Sequence, residues 1–286
     1  MKRKQPNIMS SRSWVLVMAV LIGLTGCDRS SPIDDGGPDD GGAGDTGSTD
    51  DDDSAENHSQ TWSLSFPKEA LERVVLANPM GHLSLSGSPG ATEVAVQLVA
   101  YSDSPLDLGP FGPLTTSVLP STLSISVSVP EGIALTRVDL SLHAPSSLIA
   151  EMTSADFPLS ISDMHAGGTI RTGDGPVTGI GLKGSFEVEG GSTQLLLDVD
   201  LPTNGSLNAS LSSGPIETTL PVATSATLTA STSAGAIEIV GMDFNGVIVG
   251  GEAAGQFGAG DGSISLNTGE GDIAIRGIEP PDAPPN

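Results

Sequence analysis

From Trp62 onward, apolar and polar residues alternate with a period of two in short bursts. Leu123 to Val129 reads LSISVSV, Val138 to Leu142 reads VDLSL, and Leu195 to Leu201 reads LLLDVDL. Successive strand residues point to opposite faces, so each burst sets Leu, Ile or Val on one side and mostly Ser or Asp on the other, as half-buried strands require. An amphipathic helix needs apolar residues at three- and four-residue intervals, and no window longer than two turns has them. Residues 67–75 are the best helical candidate. Residues 102–121 (SDSPLDLGPFGPLTTSVLPS), rich in Pro and Gly, are expected to form a long surface loop.

A five-residue element recurs through these bursts: Gly, a small residue, an apolar one, a polar one, and usually another apolar. It starts at Gly81, Gly168, Gly175, Gly184, Gly205, Gly214, Gly235, Gly262 and Gly271. Gly175 to Gly184, Gly205 to Gly214 and Gly262 to Gly271 each span nine residues. Gly175, Gly205 and Gly235 lie thirty apart, as do Gly184 and Gly214. A fixed interval of this kind marks a stacked architecture. The unit is read as a turn with positive φ at glycine, followed by a short strand aiming its apolar side chains into a narrow interior. The predicted fold is all-β: a single-stranded right-handed β-solenoid or β-helix-like stack with a less regular N-terminal β portion. Its alternative is a β-sandwich. Aromatic residues make up only 3% of the chain, in keeping with an interior too narrow for large rings.

The pattern resembles the bacterial "putative adhesin" repeat domains, a family of unknown function predicted as β-solenoids. The resemblance rests on Gly269 to Gly277 (GEGDIAIRG), Ser233 to Ile239, Phe257 to Leu266 and Leu123 to Pro130, and covers roughly residues 72–277. Only the last repeat keeps Gly-Asp-Ile itself, at Gly271, Asp272 and Ile273. The resemblance implies a β-solenoid fold and an adhesive role.

The first 58 residues are of another kind. Residues 1–13 are basic and polar, residues 14–25 (WVLVMAVLIGLT) are almost wholly apolar, and Gly26-Cys27 follows. This is the charged region, apolar region and small-residue cleavage site of an export signal, covering residues 1–26. The apolar run is too short for a spanning helix, which takes about 20 residues. Leu24-Thr-Gly-Cys27 resembles the lipobox of bacterial lipoproteins, which implies cleavage between Gly26 and Cys27 and acylation of the Cys27 thiol. Cys27 is the only cysteine in the chain, so no internal disulfide is available. Residues 27–58 hold eleven Asp or Glu, one Arg and almost nothing apolar, so they are expected to be a disordered acidic tether reaching about 100 Å at most. Asp50 to Asp53 are read as part of that solvated spacer. Residues 279–286 are expected to be a disordered Pro-rich tail, leaving residues 59–278 as the repeat domain.

The net charge is −24, and removal of Lys2, Arg3, Lys4 and Arg12 with the signal leaves −28. Such a polyanion repels nucleic acid and anionic headgroups. The expected partners are therefore the membrane, through the lipid on Cys27, and a protein or surface ligand. No cofactor is expected. His58, His82, His143 and His165 lack metal-ligand spacing, and no nucleophile elbow or phosphate loop is present. The Gly-Asp turns at Asp174, Asp261 and Asp272 are compared with calcium-binding nonapeptide repeats, but they lack the consecutive units those need. Aspartates capping turns is the preferred reading. After the signal the chain keeps one Trp, one Tyr and, beyond the tether, six Lys or Arg, a poor set for a polysaccharide-cleaving groove. The predicted protein is a non-enzymatic, lipid-anchored component of the cell envelope, facing the periplasm or the exterior. It is read as a surface-binding module or, alternatively, as a structural or sensory component.

Overall fold

A computed structural model describes residues 58–109, 112–129 and 131–279. Gly26, Cys27, the export signal, and all but the last residue of the tether lie outside the described residues, as does the tail after Glu279. The compact unit to which the described residues belong is all-β.

Among the described residues the chain forms twenty-one strands. The N-terminal portion holds β1 (His58–Pro67), β2 (Arg73–Asn78), β3 (Leu83–Ser88), β4 (Glu93–Ser102), β5 (Leu114–Leu119), β6 (Thr122–Val127) and β7 (Arg137–Pro145). The middle holds β8 (Ile149–Ser154), β9 (Leu159–Ser162), β10 (Gly168–Arg171), β11 (Val177–Lys183), β12 (Phe186–Ser192), β13 (Leu195–Asp200), β14 (Ser206–Ser213) and β15 (Ile216–Pro221). Six more follow: β16 (Ala226–Ala234), β17 (Ile237–Val240), β18 (Phe244–Val249), β19 (Glu252–Phe257), β20 (Gly262–Glu270) and β21 (Ile273–Ile278). They make two large mixed sheets in a sandwich-like arrangement, which fits the alternative named from the sequence. The first sheet runs β1-β4-β7-β3-β9-β11-β13-β15-β21-β17, and the second β18-β19-β16-β20-β14-β12-β10-β8-β2-β6-β5.

The central pairings are parallel, and from β8 to β17 each strand lies in the sheet opposite to the one before it. Antiparallel pairs flank this region: β1 with β4 and β4 with β7 near one end, β16 with β19 and β19 with β18 near the other. Parallel neighbours stack in flat register. On the inner face of the first sheet, Leu83, Leu159, Val177, Leu195, Ile216 and Ile273 form one row. On the second, Leu76, Met152, Ile170, Val188, Ala209 and Leu266 form another. Nearly all of these side chains are solvent-free. The alternation read from sequence is what fills both rows.

Three expectations are corrected. Residues 67–75 are not helical: β1 ends at Pro67, a turn follows, and β2 begins at Arg73, because Val74 and Leu76 both point into the core. The expected loop at 102–121 contains β5, whose pairing with β6 gives its backbone groups partners. Large rings do enter the interior: Phe186 and Phe257 are the largest fully buried side chains, and Trp62 is buried too. Register explains how. Phe186 lies beside Gly168, which lies beside Ala150, so a residue without a side chain and one with a single methyl leave room for the ring.

The next inner row of the first sheet, through Leu85, Ile161, Gly179, Leu197 and Ile275, is broken by one polar residue. Thr218 lies between Leu197 and Ile275, is 1% exposed, and its Oγ1 has no hydrogen-bond partner. A buried hydroxyl without a partner costs about 1–3 kcal/mol of desolvation. Thr218→Val keeps the shape and removes the hydroxyl, so it should stabilise the protein by about 1 kcal/mol in urea unfolding. A loss of stability would contradict this assignment of the site.

Candidate binding face

The corners are where the recurring glycines sit, and they differ in what they do. Gly184, Gly214 and Gly271 have the expected positive φ, whereas Gly175, Gly205, Gly235 and Gly262 do not. Close approach of another segment explains Gly175, Gly235 and Gly262 better than backbone handedness, while Gly205 is crowded by Pro202 of its own turn. A Cβ on Gly175 would collide with the Phe157 carbonyl, and one on Gly235 with the Gly271 carbonyl.

The nine-residue interval is the step from a strand in one sheet to the next strand in the other, as from Gly175 before β11 to Gly184 before β12. Stacked partners lie eighteen residues apart at first (Ala150 with Gly168, Gly168 with Phe186) and twenty-one later (Phe186 with Leu207, Leu195 with Ile216). The thirty-residue interval has no counterpart in register, because Gly175 precedes a strand of the first sheet and Gly205 a strand of the second.

The corner aspartates do cap turns, but in the neighbouring layer and not in their own. Asp156 Oδ1 accepts from the Asp174 N–H at 3.2 Å, and Asp174 Oδ1 from the Ser192 N–H at 2.7 Å. Asp272 Oδ1 accepts from the Ala236 N–H at 2.8 Å, and Asp261 takes the Ser225 hydroxyl at 2.8 Å. Among the described residues, no three His, Cys, Asp or Glu are grouped to hold a metal ion.

A set of corner threonines escaped the sequence reading. Thr172 Oγ1 donates to the carbonyls of Ala155 and Gly175, Thr193 to Gly175, Thr232 to Gly271 and Thr268 to Gly214. Thr172, Thr232 and Thr268 each stand three residues before a repeat glycine, at Gly175, Gly235 and Gly271. That spacing was the available signal.

The most distinctive surface is the outer face of the first sheet across β1, β4, β7, β3, β9 and β11. Register places Ser63, Gln97, Ser141, Ser84, Ser160 and Thr178 in one continuous row. Ala95, His143, Ser86, Ser162 and Ile180 form the next row. Strands about 4.8 Å apart carry the first row over about 24 Å. The rows floor a shallow trough of about 530 Å³ whose lining contains no carboxylate, Lys or Arg. Short side chains make it shallow, and they also leave the hydroxyls accessible.

Within the trough, Ser84 Oγ donates to Ser141 Oγ at 2.9 Å, and Ser86 Oγ lies 3.1 Å from His143 Nδ1. A serine–histidine pair invites a nucleophilic reading, but activation requires a third group orienting the base, and the lining supplies no carboxylate for that role. The arrangement is an uncharged row of hydrogen-bond donors and acceptors beside a second row that Ala95 and Ile180 interrupt. The opposite outer face differs: it carries exposed ion pairs, Arg171 with Glu189 at 2.8 Å and Arg73 with Glu151 at 2.5 Å. Of the remaining histidines, His82 is exposed at a turn where its N–H meets Asp139, and His58 and His165 lie away from the trough.

No family model matches the sequence, and no curated protein matches it. Solved structures similar in backbone include a "putative cell adhesion protein" from Clostridium sporogenes ATCC 15579, with 17% identity over 77% of this chain and 100% of that one, at a TM-score of 0.46. A "putative lipid binding protein" from Parabacteroides distasonis ATCC 8503 has 11% identity over 79% and 98% of the two chains, with a TM-score of 0.31. A "putative adhesin" from the same organism has 7% identity over 77% and 97%, with a TM-score of 0.28.

Proposed function

We propose that this chain is a non-enzymatic, lipid-anchored envelope protein that binds neutral, hydroxyl-bearing surfaces through the Ser/Thr trough of its first sheet. The observation that carries this reading is the continuous row of six uncharged hydrogen-bonding side chains, Ser63 to Thr178, on a chain of net charge −24. A polyanion repels acidic partners at long range and is indifferent to neutral ones. The trough offers hydroxyls at a regular spacing and no aromatic platform apart from the His143 ring, so each contact is weak. Many copies confined to one membrane would supply avidity.

In this reading residues 1–26 direct export, Cys27 carries the lipid, residues 27–58 hold the domain clear of the membrane, and residues 279–286 trail from it. The membrane is then the constant partner, and the chain faces the periplasm or the exterior. The strand-by-strand exchange between sheets over residues 149–221 is read as successive turns of a β-solenoid. Its two walls are the two sheets, and the antiparallel strands near each end close it.

The test uses the full chain in two experiments. Purified in detergent, it is applied to immobilised glycans, some neutral and some acidic. Binding is expected on neutral polymers such as dextran and not on acidic ones, and Ser84→Glu with Ser160→Glu should weaken it at least tenfold. Absence of binding to every neutral polymer, or binding untouched by the two glutamates, refutes the face. Separately, Cys27→Ser should move the chain from the membrane fraction to the soluble one, and retention in the membrane would refute the anchor.

A further inference from the structure

Among the described residues β18 is a free edge, and of the four edge strands it is the one with no charge within it and no proline within or beside it. Phe244–Val249 reads FNGVIV, with Val247 63% exposed, Ile248 43% and Val249 68%. It pairs with β19 without a bulge, from Phe244 opposite Phe257 to Val249 opposite Glu252. Proteins blunt such edges with charges, prolines, bulges or brevity, and β18 has none of these. The others do. β17 has four residues with Glu238 among them, β5 is bracketed by Pro113 and Pro120, and β1 is polar along its exposed side and ends at Pro67.

We infer that β18 is the contact surface of a two-fold dimer, pairing antiparallel with β18 of a second copy of this chain and joining two eleven-stranded sheets into one. Charge selects this partner. Copies of a chain with net charge −24 repel one another, so a self-contact must be uncharged, and this six-residue window is. Its nearest acids are Asp243 and Glu252. Two-fold symmetry about an axis through the sheet allows two registers that pair five residues of each strand, centred on Gly246 or on Val247. In the first, Asp243 faces Val249 of the other copy; in the second, it faces Gly251. Glu252 lies on β19, between Val249 and Ser231 of its own chain and away from the seam. Like charges are never opposed. Centring on Val247 also sets two valines directly across from each other, a favourable cross-strand pair. Pairing β18 with β5 of another copy would instead be head-to-tail, forming a ring or an open filament and not a two-fold dimer, and the flanking prolines of β5 oppose it.

The full chain in density-matched detergent, at high micromolar concentration, should sediment at twice the mass of one chain. Val247→Lys should halve that mass, and Val249→Lys should do the same if the first variant folds poorly; both side chains are exposed, so circular dichroism should be unchanged. Val118→Lys, on β5, should leave the dimer intact. One chain per particle in the unsubstituted protein overturns the inference, including where β18 meets lipid instead. So does a dimer that survives both β18 variants, or one that Val118→Lys dissociates.

Discussion

Gly214→Ala is expected to cost about 3–4 kcal/mol of stability, seen as a fall in the urea midpoint without a change of slope. Gly214 has φ +108°, outside the region that L-residues adopt readily, and a Cβ there would overlap the Thr193 carbonyl. Its surroundings cannot give way cheaply. Its N–H donates to the Glu270 carbonyl, and its own carbonyl accepts the Thr268 hydroxyl at 2.9 Å. Gly271 in the adjacent layer is packed against the same peptide. One methyl group therefore disturbs the layers on both sides. Gly250 is the control: φ is +61°, and a Cβ would meet nothing within 4 Å. Gly250→Ala should cost no more than about 1 kcal/mol. Equal losses at the two positions would show that backbone handedness, and not stacking, sets the cost at the corners.

Phe186→Ala is expected to cost about 4 kcal/mol, the range for removing a fully buried ring whose cavity does not collapse. Its neighbours in the row explain why collapse fails. Gly168 has no side chain to swing into the gap, Ala150 has only a methyl, and Leu207 is itself fully buried. Filling from the second site is also blocked, because a Cβ on Gly168 would collide with the Ala150 carbonyl. Phe186→Leu retains most of the volume and should lose about 1.5 kcal/mol. Thermal unfolding is the measurement; at about 2–4 °C per kcal/mol for a domain of this size, the alanine variant should melt about 8–16 °C lower. A fall of only a degree or two would mean that the interior around β12 is loosely packed.

Much of the candidate face could be read in part. The alternation at Ser84, Ser141 and Ser160 is plain in the sequence, and each belongs to a burst whose apolar members line the core. Nothing local says that these serines share one surface. Ser84 and Ser141 are 57 residues apart and hydrogen-bonded; that proximity is a product of parallel pairing between β3 and β7. Parallel pairs carry no turn signal, since their connection passes through the other sheet. The glycine spacings were similarly half-legible. Nine residues is a local length, one strand and one corner, and it survives in the structure. Thirty is a coincidence of two kinds of corner. The aspartates at 174 and 272 were read as capping turns through their own backbone, and instead they accept from the N–H groups of Ser192 and Ala236 in the neighbouring layer, which only stacking decides.

By itself the sequence determined the all-β class, which face of each alternating burst turns inward, and where glycine corners fall, because those follow from side-chain period and corner sterics within a few residues; the start of β2 and the whole of β5 were not legible in it. The tertiary structure decided who neighbours whom. The clearest case is β20 and β21, which do not follow β16 and β17 outward. They return and insert between β14 and β16 in one sheet, and between β15 and β17 in the other. Ile264 thereby meets Leu207, 57 residues earlier, and Leu228, 36 earlier. Each of those strands offers a similar apolar face to either neighbour, so local pattern cannot choose. What separates them is the shared packing of two whole sheets, with the β18–β19 hairpin lying beyond β16.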